Sequence, residues 1–249
     1  MSTIYDRWLM VFGLSFLGIT VPSLCAEENG IRQSFETTKT ERTPFAPGGI
    51  IRVNGSYGYL AVEGWDESEV EITVIKSTDG FYEPNQKQQM EQRFQSVRVV
   101  TERRSDKELA ISTTPPVRKS VLYFPRPLLP SPRHSLTPDY RVRIPRNSQL
   151  VVRHDNGYVW ISDVTGDIDV RSRTGDMIVL LAGAGPYSID ARTGLGSVSS
   201  DFLGKGHRYL AGMRFAFAGP APSKRIFLRM GRGCISIKGG PSPGASGKE

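Results

Sequence analysis

Residues 149–180 read QLVVRHDNGYVWISDVTGDIDVRSRTGDMIVL and contain the clearest internal repeat of the chain. One unit recurs in it: a glycine followed by alternating outward and apolar residues, as in Gly157-Tyr-Val-Trp-Ile161 and Gly166-Asp-Ile-Asp-Val170. Related units begin at Gly58, Gly175, Gly185, Gly196 and Gly233. From Gly157 to Gly196 the glycines are nine to eleven residues apart, which is enough for one strand and a tight turn. The repeat therefore predicts short strands stacked on one another.

The apolar positions of these units predict the core. They are the pairs Val159/Ile161, Ile168/Val170, Met177/Val179 and Tyr187/Ile189, with Val198 beyond them. In stacked strands such side chains form inward-facing columns, and the Asn-Gly and Thr-Gly pairs between the units suit corners. We therefore predict a mainly β fold, a β-solenoid or β-helix-like stack, over residues 48–239.

The N-terminal half carries further strand signals and one helix signal. Strands are predicted at residues 49–53, 59–63, 70–76, 97–102 and 108–113. The dipeptide Asn54-Gly55 favours a tight turn. Residues 83–94 are rich in helix formers and predict one short helix, with Met90 and Phe94 as its packing stripe. The polar residues 27–47 indicate an irregular lead-in.

Three segments depart from the strand rhythm. Residues 115–138 contain seven prolines, and because proline cannot donate to a β ladder they predict a loop rather than central sheet. This loop is either a contact surface or a cover over one end of the sheet. Residues 204–223 indicate an irregular stretch. Residues 240–249 are small and polar, which predicts a disordered tail.

The first 26 residues predict export. Trp8–Thr20 is an uncharged, mostly apolar run, too short to span a bilayer, which needs about 20 residues. Ala26 precedes an acidic pair and suits signal-peptidase cleavage; the alternative is an uncleaved anchor. Cys25 suggests lipidation, but the large Leu24 before it argues against a lipobox. The mature chain is predicted to have no membrane span and to lie in the periplasm or at the cell surface.

The mature chain would keep one cysteine, Cys234, and so no internal disulfide.

The positive charge of the chain is concentrated near the C-terminus. The net charge is +7, and residues 202–248 hold nine Lys and Arg and no acidic residue. Such a segment attracts anions, which outside the cytoplasm are envelope polymers or lipid head groups rather than nucleic acid. The candidate anion-binding residues are Lys224, Arg225, Arg229 and Arg232; the alternative is a solvated face.

Three aromatic residues at outward positions, Tyr59, Tyr158 and Trp160, are candidate ligand-binding residues. Rings on a flat strand face suit stacking on sugars or packing on a protein partner. The alternative is that another part of the chain, such as the 115–138 loop, covers them.

The candidate for catalysis is Arg153-His154-Asp155, because some β-helix enzymes that act on polysaccharides use acidic, basic and His side chains projecting from parallel strands. In-register stacking would place six charged residues on one face: Arg153, Asp155, Asp167, Asp169, Arg171 and Asp176. Solvated surface charge is the alternative explanation.

No metal site or cofactor is predicted. His134, His154 and His207 lack metal-ligand spacing. Asp167 and Asp176 follow single glycines rather than the motif of calcium-binding β-rolls, so corner hydrogen bonding explains them. There is no phosphate-binding loop, nucleophile elbow or nucleic-acid motif.

Three segments carry a resemblance to a known family. They are residues 147–180, NSQLVVRHDNGYVWISDVTGDIDVRSRTGDMIVL; residues 139–146, DYRVRIPR; and residues 58–77, GYLAVEGWDESEVEITVIKS. They resemble the putative-adhesin, DUF4097-type domain of bacterial envelope proteins, over roughly residues 48–239. The resemblance implies a right-handed β-solenoid outside the cytoplasm and supplies no catalytic residues.

The sequence thus predicts a non-catalytic, exported cell-envelope protein with an adhesin-like binding or structural role. Its partner would be an envelope polymer or glycan, anionic ones included, or a protein. One alternative is a carbohydrate-active enzyme, a polysaccharide lyase or hydrolase, centred on Arg153, His154 and Asp155. Another is an envelope-stress accessory protein that contacts a membrane or a signalling partner through the basic C-terminal segment.

Overall fold

The computed structural model describes residues 36–78, 87–113, 136–182 and 185–240. The predicted signal peptide (1–26), most of the proline-rich loop and the tail beyond Gly240 lie outside these residues. Within them the chain is mainly β, with one helix, α1 (Lys87–Ser96). The strands are β1 (Glu36–Pro44), β2 (Ile50–Tyr57), β3 (Tyr59–Trp65), β4 (Glu69–Thr78), β5 (Val99–Ser105), β6 (Glu108–Thr113), β7 (Leu136–Pro145), β8 (Gln149–Ser162), β9 (Ile168–Ala182), β10 (Tyr187–Leu195), β11 (Val198–Ser200), β12 (Lys205–Arg208), β13 (Met213–Ala218), β14 (Lys224–Arg232) and β15 (Ile235–Gly240).

All strands in the described part of the chain join one open sheet. β8 and β9 show how the repeat folds. Each runs extended up to a glycine with positive φ, +134° at Gly157 and +129° at Gly175, and continues beyond it. In β8 the side chains that join the core cluster are even-numbered before this glycine, Leu150 and Val152, and odd-numbered after it, Val159 and Ile161. The strand therefore bends at the glycine and turns both segments toward a single hydrophobic core.

We call a rung the two strand segments that meet at such a glycine. Five rungs lie side by side in the spatial order Gly58 (β2–β3), Gly157 (β8), Gly175 (β9), Gly233 (β14–β15) and Gly196 (β10–β11). All their pairings are parallel. The rung of β14 and β15, last in the chain, lies between β9 and the rung of β10 and β11, so chain order is not spatial order.

The nine-residue unit of the sequence is half a rung rather than a whole one. Val159 lies in register with Met177, in the next unit but one, and Leu150 lies in register with Ile168. The predicted apolar pairs are buried, as expected, but they form two sets of columns instead of one. One column, before the glycines, is Leu109, Ile51, Leu150, Ile168, Ile226 and Ile189; one column, after them, is Tyr140, Leu60, Val159, Met177, Ile235 and Val198.

The helix and most predicted strands are confirmed, with α1 overlapping the segment expected to be helical and ending two residues beyond it, and with β5 and β6 after it. Phe94 of the predicted helix stripe is buried, whereas the side chain of Met90 lies outside what the structure describes. The predicted irregular lead-in is wrong in part, because β1 lies within it and pairs antiparallel with β4. β1 is a polar, exposed edge strand, so no apolar alternation marked it.

Two other local predictions are also corrected. Asn54-Gly55 is not a turn but lies inside β2, where Gly55 is in register with His154. A Cβ at Gly55 would overlap Nδ1 of His154, so this glycine makes room for an imidazole. Residues 204–223 are not irregular throughout, since β12 and β13 extend the sheet antiparallel beyond β10. The sequence did not predict β12 and β13 because both strands are short and their alternation of apolar and polar residues is broken.

The first prediction concerns the stacked glycines. Gly175→Ala would place a Cβ against the carbonyl oxygen of Gly157 at φ +129°, and we expect it to lower the free energy of unfolding by about 3–4 kcal/mol. The control is Gly48→Ala, which also has positive φ (+81°) but open space around it, and should cost only about 1–2 kcal/mol. Urea unfolding measures both. Equal losses in the free energy of unfolding would show that backbone strain, and not the close stacking of the glycines, sets the requirement for glycine.

Candidate functional site

Five arginines form a row on the outer side of the sheet, four on strand segments that precede the stacked glycines and the fifth on the antiparallel strand β13. In spatial order they are Arg153 (β8), Arg171 (β9), Arg229 (β14), Arg192 (β10) and Arg214 (β13). We call them the arginine row. Each is in register with the next, so successive Cα atoms are separated by one strand spacing, about 4.8 Å. The row therefore crosses the strands at right angles to the chain direction.

Two carboxylates lie in the neighbouring column of the same surface. Asp169 accepts a two-pronged hydrogen bond from Arg153, with Nη1–Oδ1 and Nη2–Oδ2 distances of 3.1 and 3.2 Å. Asp190 accepts from Arg229 Nη2 at 2.9 Å and from both Nε and Nη2 of Arg214 at 3.1 Å. Phe227 stands between the two aspartates in register.

The surroundings of Asp190 move its pKa. Partial burial acts to raise the pKa, but the hydrogen bonds and charges of Arg229 and Arg214 outweigh burial and hold it below its ordinary value. Asp190 is therefore ionised at neutral pH and fixes two members of the arginine row.

Arg171 and Arg192 keep their hydrogen-bonding forks open. The nearest contact of Arg171 with a carboxylate is 3.7 Å, from Nε to Oδ1 of Asp169, and its guanidinium lies 5.4 Å from the centre of the Phe227 ring. Arg192 lies over the ring of Tyr209 at 5.3 Å and has no ion pair with any residue that the structure describes. Both side chains are exposed.

A shallow depression of about 310 Å³ adjoins the row. The polar side chains around it are Gln149, Asp167, Asp169, Arg171, Ser188, Asp190 and Arg225, and Phe227 contributes the ring. Hydrogen-bond acceptors, donors and an aromatic surface are therefore combined at one place.

The predicted anion-binding residues divide between this surface and its margins. Arg225 and Arg229 occupy outward positions of β14, and Arg229 belongs to the arginine row. Arg225 is paired with Asp167, whose Oδ1 also accepts the Arg225 backbone N–H at 2.9 Å. Lys224 is the first residue of β14, and Arg232 lies at its end beside Gly233. Sequence reasoning missed Arg171, Arg192 and Arg214 as a set because only the register of separate strands unites them.

The predicted aromatic residues share the outer side of the segments that follow the glycines. Trp160 pairs in register with Ala61 and Ile178, and Tyr158 pairs with Asp176. Tyr59 precedes Leu60, the partner of Val159, and so lies beside Tyr158. Tyr158 is 59% exposed, while Tyr59 and Trp160 are half-buried. We call these three residues the aromatic patch.

Arg153, His154 and Asp155 do not converge. His154 faces the core and is 3% exposed, Asp155 is exposed, and Arg153 is held by Asp169. Alternation along an extended strand is the reason, because consecutive side chains point to opposite sides of a sheet. Of the six charged residues expected on one face, Arg153, Asp169 and Arg171 share the outer surface before the glycines.

The imidazole of His154 is a buried polar group with one partner. Its Nε2 is 3.0 Å from the carbonyl oxygen of Gly58, so Nε2 carries the proton and donates. The acceptor Nδ1 has no hydrogen-bond partner among the described residues. Burial lowers the pKa of His154, although the hydrogen bond to Gly58 and the charge of Asp155 oppose the shift.

The corner aspartates bind neighbouring backbone. Asp167 accepts from the N–H of Arg225 and Asp176 from the N–H of Cys234, both at 2.9 Å. Over the described ranges, no three His, Cys, Asp or Glu side chains are grouped to hold a metal ion. Helix α1, the one helix in those ranges, is not long and apolar enough to cross a membrane.

The second prediction concerns His154. The unfolded chain takes up a proton below about pH 6.5 while the folded His154, with its lowered pKa, stays neutral. Stability should therefore fall as the pH is lowered from about 7 toward the folded-state pKa, by at most about 1.4 kcal/mol per pH unit. His154→Gln should remove this part of the pH dependence in urea unfolding. The matched control, His207→Gln, changes an exposed histidine and should leave the dependence in place.

The third prediction concerns Asp190. Its pKa is lowered on folding, so the stability it contributes is present above its unfolded-state pKa of about 3.9 and is lost as the pH falls through the folded value. Asp190→Asn should destabilise the protein by about 1 kcal/mol at pH 7. The difference from the unmodified protein should disappear once the pH has fallen below the lowered folded-state pKa of Asp190. Glu67→Gln, at an exposed position, is the control for thermal unfolding across this pH range.

No protein-family model matches the chain, and no curated protein matches it by sequence. Several solved structures are similar to it. A putative cell adhesion protein from Clostridium sporogenes is 14% identical with a TM-score of 0.44, over 82% of this chain and 100% of that one. A putative adhesin from Bacteroides fragilis is 11% identical with a TM-score of 0.27, over 81% and 97% of the two chains. A putative adhesin from Parabacteroides distasonis is 10% identical with a TM-score of 0.23, over 81% and 97%.

Proposed function

We propose that this chain is a non-catalytic, exported protein of the bacterial cell envelope with an adhesin-like binding role. In this proposal the rungs form a right-handed β-solenoid of the putative-adhesin, DUF4097-type family. The supporting observation is the aromatic patch, in which in-register parallel strands hold Tyr59, Tyr158 and Trp160 on one outer surface.

The aromatic patch suits a sugar ligand. The exposed ring of Tyr158 and the half-exposed ring of Trp160 are two positions apart on one strand, and such positions on the same side are about 6.6–6.8 Å apart. Aromatic rings offer apolar faces to the C–H surfaces of pyranose rings and keep a polar edge for hydroxyl groups. An envelope glycan is therefore the proposed ligand class of this surface.

Geometry favours binding over the enzyme alternative. His154 cannot reach a substrate on the outer surface while its ring lies in the core with Nε2 on Gly58. Arg153 already donates two hydrogen bonds to Asp169. A base, an acid and a substrate surface are thus not combined at Arg153-His154-Asp155.

The fourth prediction tests the aromatic patch. The double variant Tyr158→Ala/Trp160→Ala should weaken binding to glycans that the unmodified protein retains on a glycan array by about tenfold or more, because two stacking contacts are lost. Leu210→Ala, at a fully exposed apolar residue away from the patch, is the control and should bind as before. Glycan binding that survives the double variant would contradict the role of the patch. Release of new reducing ends from any bound glycan would contradict a non-catalytic protein.

A further inference from the structure

We propose that the arginine row is a second binding surface, for a linear acidic glycan that lies across the strands with its carboxylates on Arg171 and Arg192. This surface is separate from the aromatic patch, since it lies before the stacked glycines and the patch lies after them. The choice of a glycan over other polyanions rests on the proposed export of the protein.

The row has the dimensions of an extended chain. Five in-register strands place four spacings between Arg153 and Arg214, about 19 Å in all. The row is one residue wide, because the next column of the same surface holds Asp169, Phe227 and Asp190. A single linear polymer fits such a strip.

Charge along the strip is unbalanced. Asp169 holds Arg153 and lies near Arg171, and Asp190 holds Arg229 and Arg214. Five guanidinium groups thus face two carboxylates. In-register stacking brings the excess positive charge together, and an anionic ligand relieves the repulsion between the guanidinium groups.

Arg171 and Arg192 are the free binding groups. Both are exposed, and neither fork makes a hydrogen bond to a carboxylate within the described ranges. Arg229 lies between them in register, so their Cα atoms are two strand spacings apart, about 9–10 Å. A planar fork binds a carboxylate through two parallel hydrogen bonds. Carboxylates on alternate residues of an extended glycan have a separation of this order.

The depression beside the row adds groups that recognise sugars. Ser188, Gln149 and the carboxylates of Asp169 and Asp190 can bind hydroxyl groups, and Phe227 lines the depression with the Arg229 guanidinium 3.6 Å from the centre of its ring. The same aspartates disfavour a nucleic acid duplex or an anionic membrane. Those ligands spread phosphates over an area and would press them against Asp169 and Asp190.

The test is binding of decamers of polygalacturonate, measured by isothermal calorimetry at low salt. Arg171→Gln/Arg192→Gln should weaken binding by about tenfold or more. The control Lys107→Gln/Arg141→Gln removes the same charge from exposed residues outside the row and should change affinity by less than about twofold. Arg171→Lys/Arg192→Lys keeps the charge, removes the fork and should give an intermediate loss. Thermal unfolding checks that each variant is folded; if the Gln variant is not, the Lys variant decides.

Several results would overturn this inference. Unchanged polygalacturonate binding in the Arg171→Gln/Arg192→Gln variant would do so, as would equal affinity for monomeric galacturonate, which cannot bridge two arginines. Equal loss of duplex DNA or anionic vesicle binding in the same variant would make the row a general polyanion surface and not a glycan site.

The roles proposed for the arginine row and for the aromatic patch can be rejected independently of each other. If Tyr158→Ala/Trp160→Ala abolishes polygalacturonate binding and the arginine variant does not, the arginine row is rejected and the proposed function stands. If only the arginine variant abolishes it and the array shows no dependence on the aromatic patch, the row stands and the role of the patch is rejected.

Discussion

The structure depends on the close stacking of five glycines, at positions 58, 157, 175, 233 and 196 in spatial order. Their φ values lie between +108° and +136°, a range that side-chain-bearing residues rarely adopt. A Cβ on any of the last four would also overlap the carbonyl oxygen of the glycine before it in the stack. The column thus lets each rung bend at the same level and keeps both of its segments in register with the next. Every row of side chains on the outer surface follows from that register.

The position of the C-terminal rung explains how the charges are arranged. The C-terminal segment of the chain is basic, yet its strand β14 lies between β9, which carries Asp169 and directly follows Asp167, and β10, which carries Asp190. Arg225 and Arg229 find carboxylates there that are far away in sequence. Folding therefore pairs Arg214, Arg225 and Arg229 of the basic segment with carboxylates, while Arg171 and Arg192, the open members of the arginine row, come from outside that segment. The charge that matters for binding is a property of the stack and not of the segment.

A stack of parallel rungs is better suited to binding a repetitive ligand than to catalysis at a single site. Equivalent outward positions of successive strands produce a straight row of arginines on the surface before the glycines, and they place Tyr59 beside Tyr158 on the surface after them. Inward positions are closed by packing, and His154 shows the consequence: it faces Gly55 and Gly58 inside the core, and its neighbours in sequence face outward. Polymers with a regular repeat are the natural ligands for such surfaces.

The sequence was sufficient to predict the mainly β architecture, the residues of the core and the outward positions of Tyr59, Tyr158 and Trp160, because period-two alternation and turn glycines are local signals. It did not reveal that two nine-residue units form one rung, that β1 is a strand, or that Gly55 accommodates an imidazole. The tertiary structure was needed to establish which rungs are neighbours, and so which arginines form one row and which carboxylates lie against them. The physical reason is that strand pairing is a long-range interaction: register between β9, β14 and β10 depends on how distant segments fit in the core, and no local pattern encodes it.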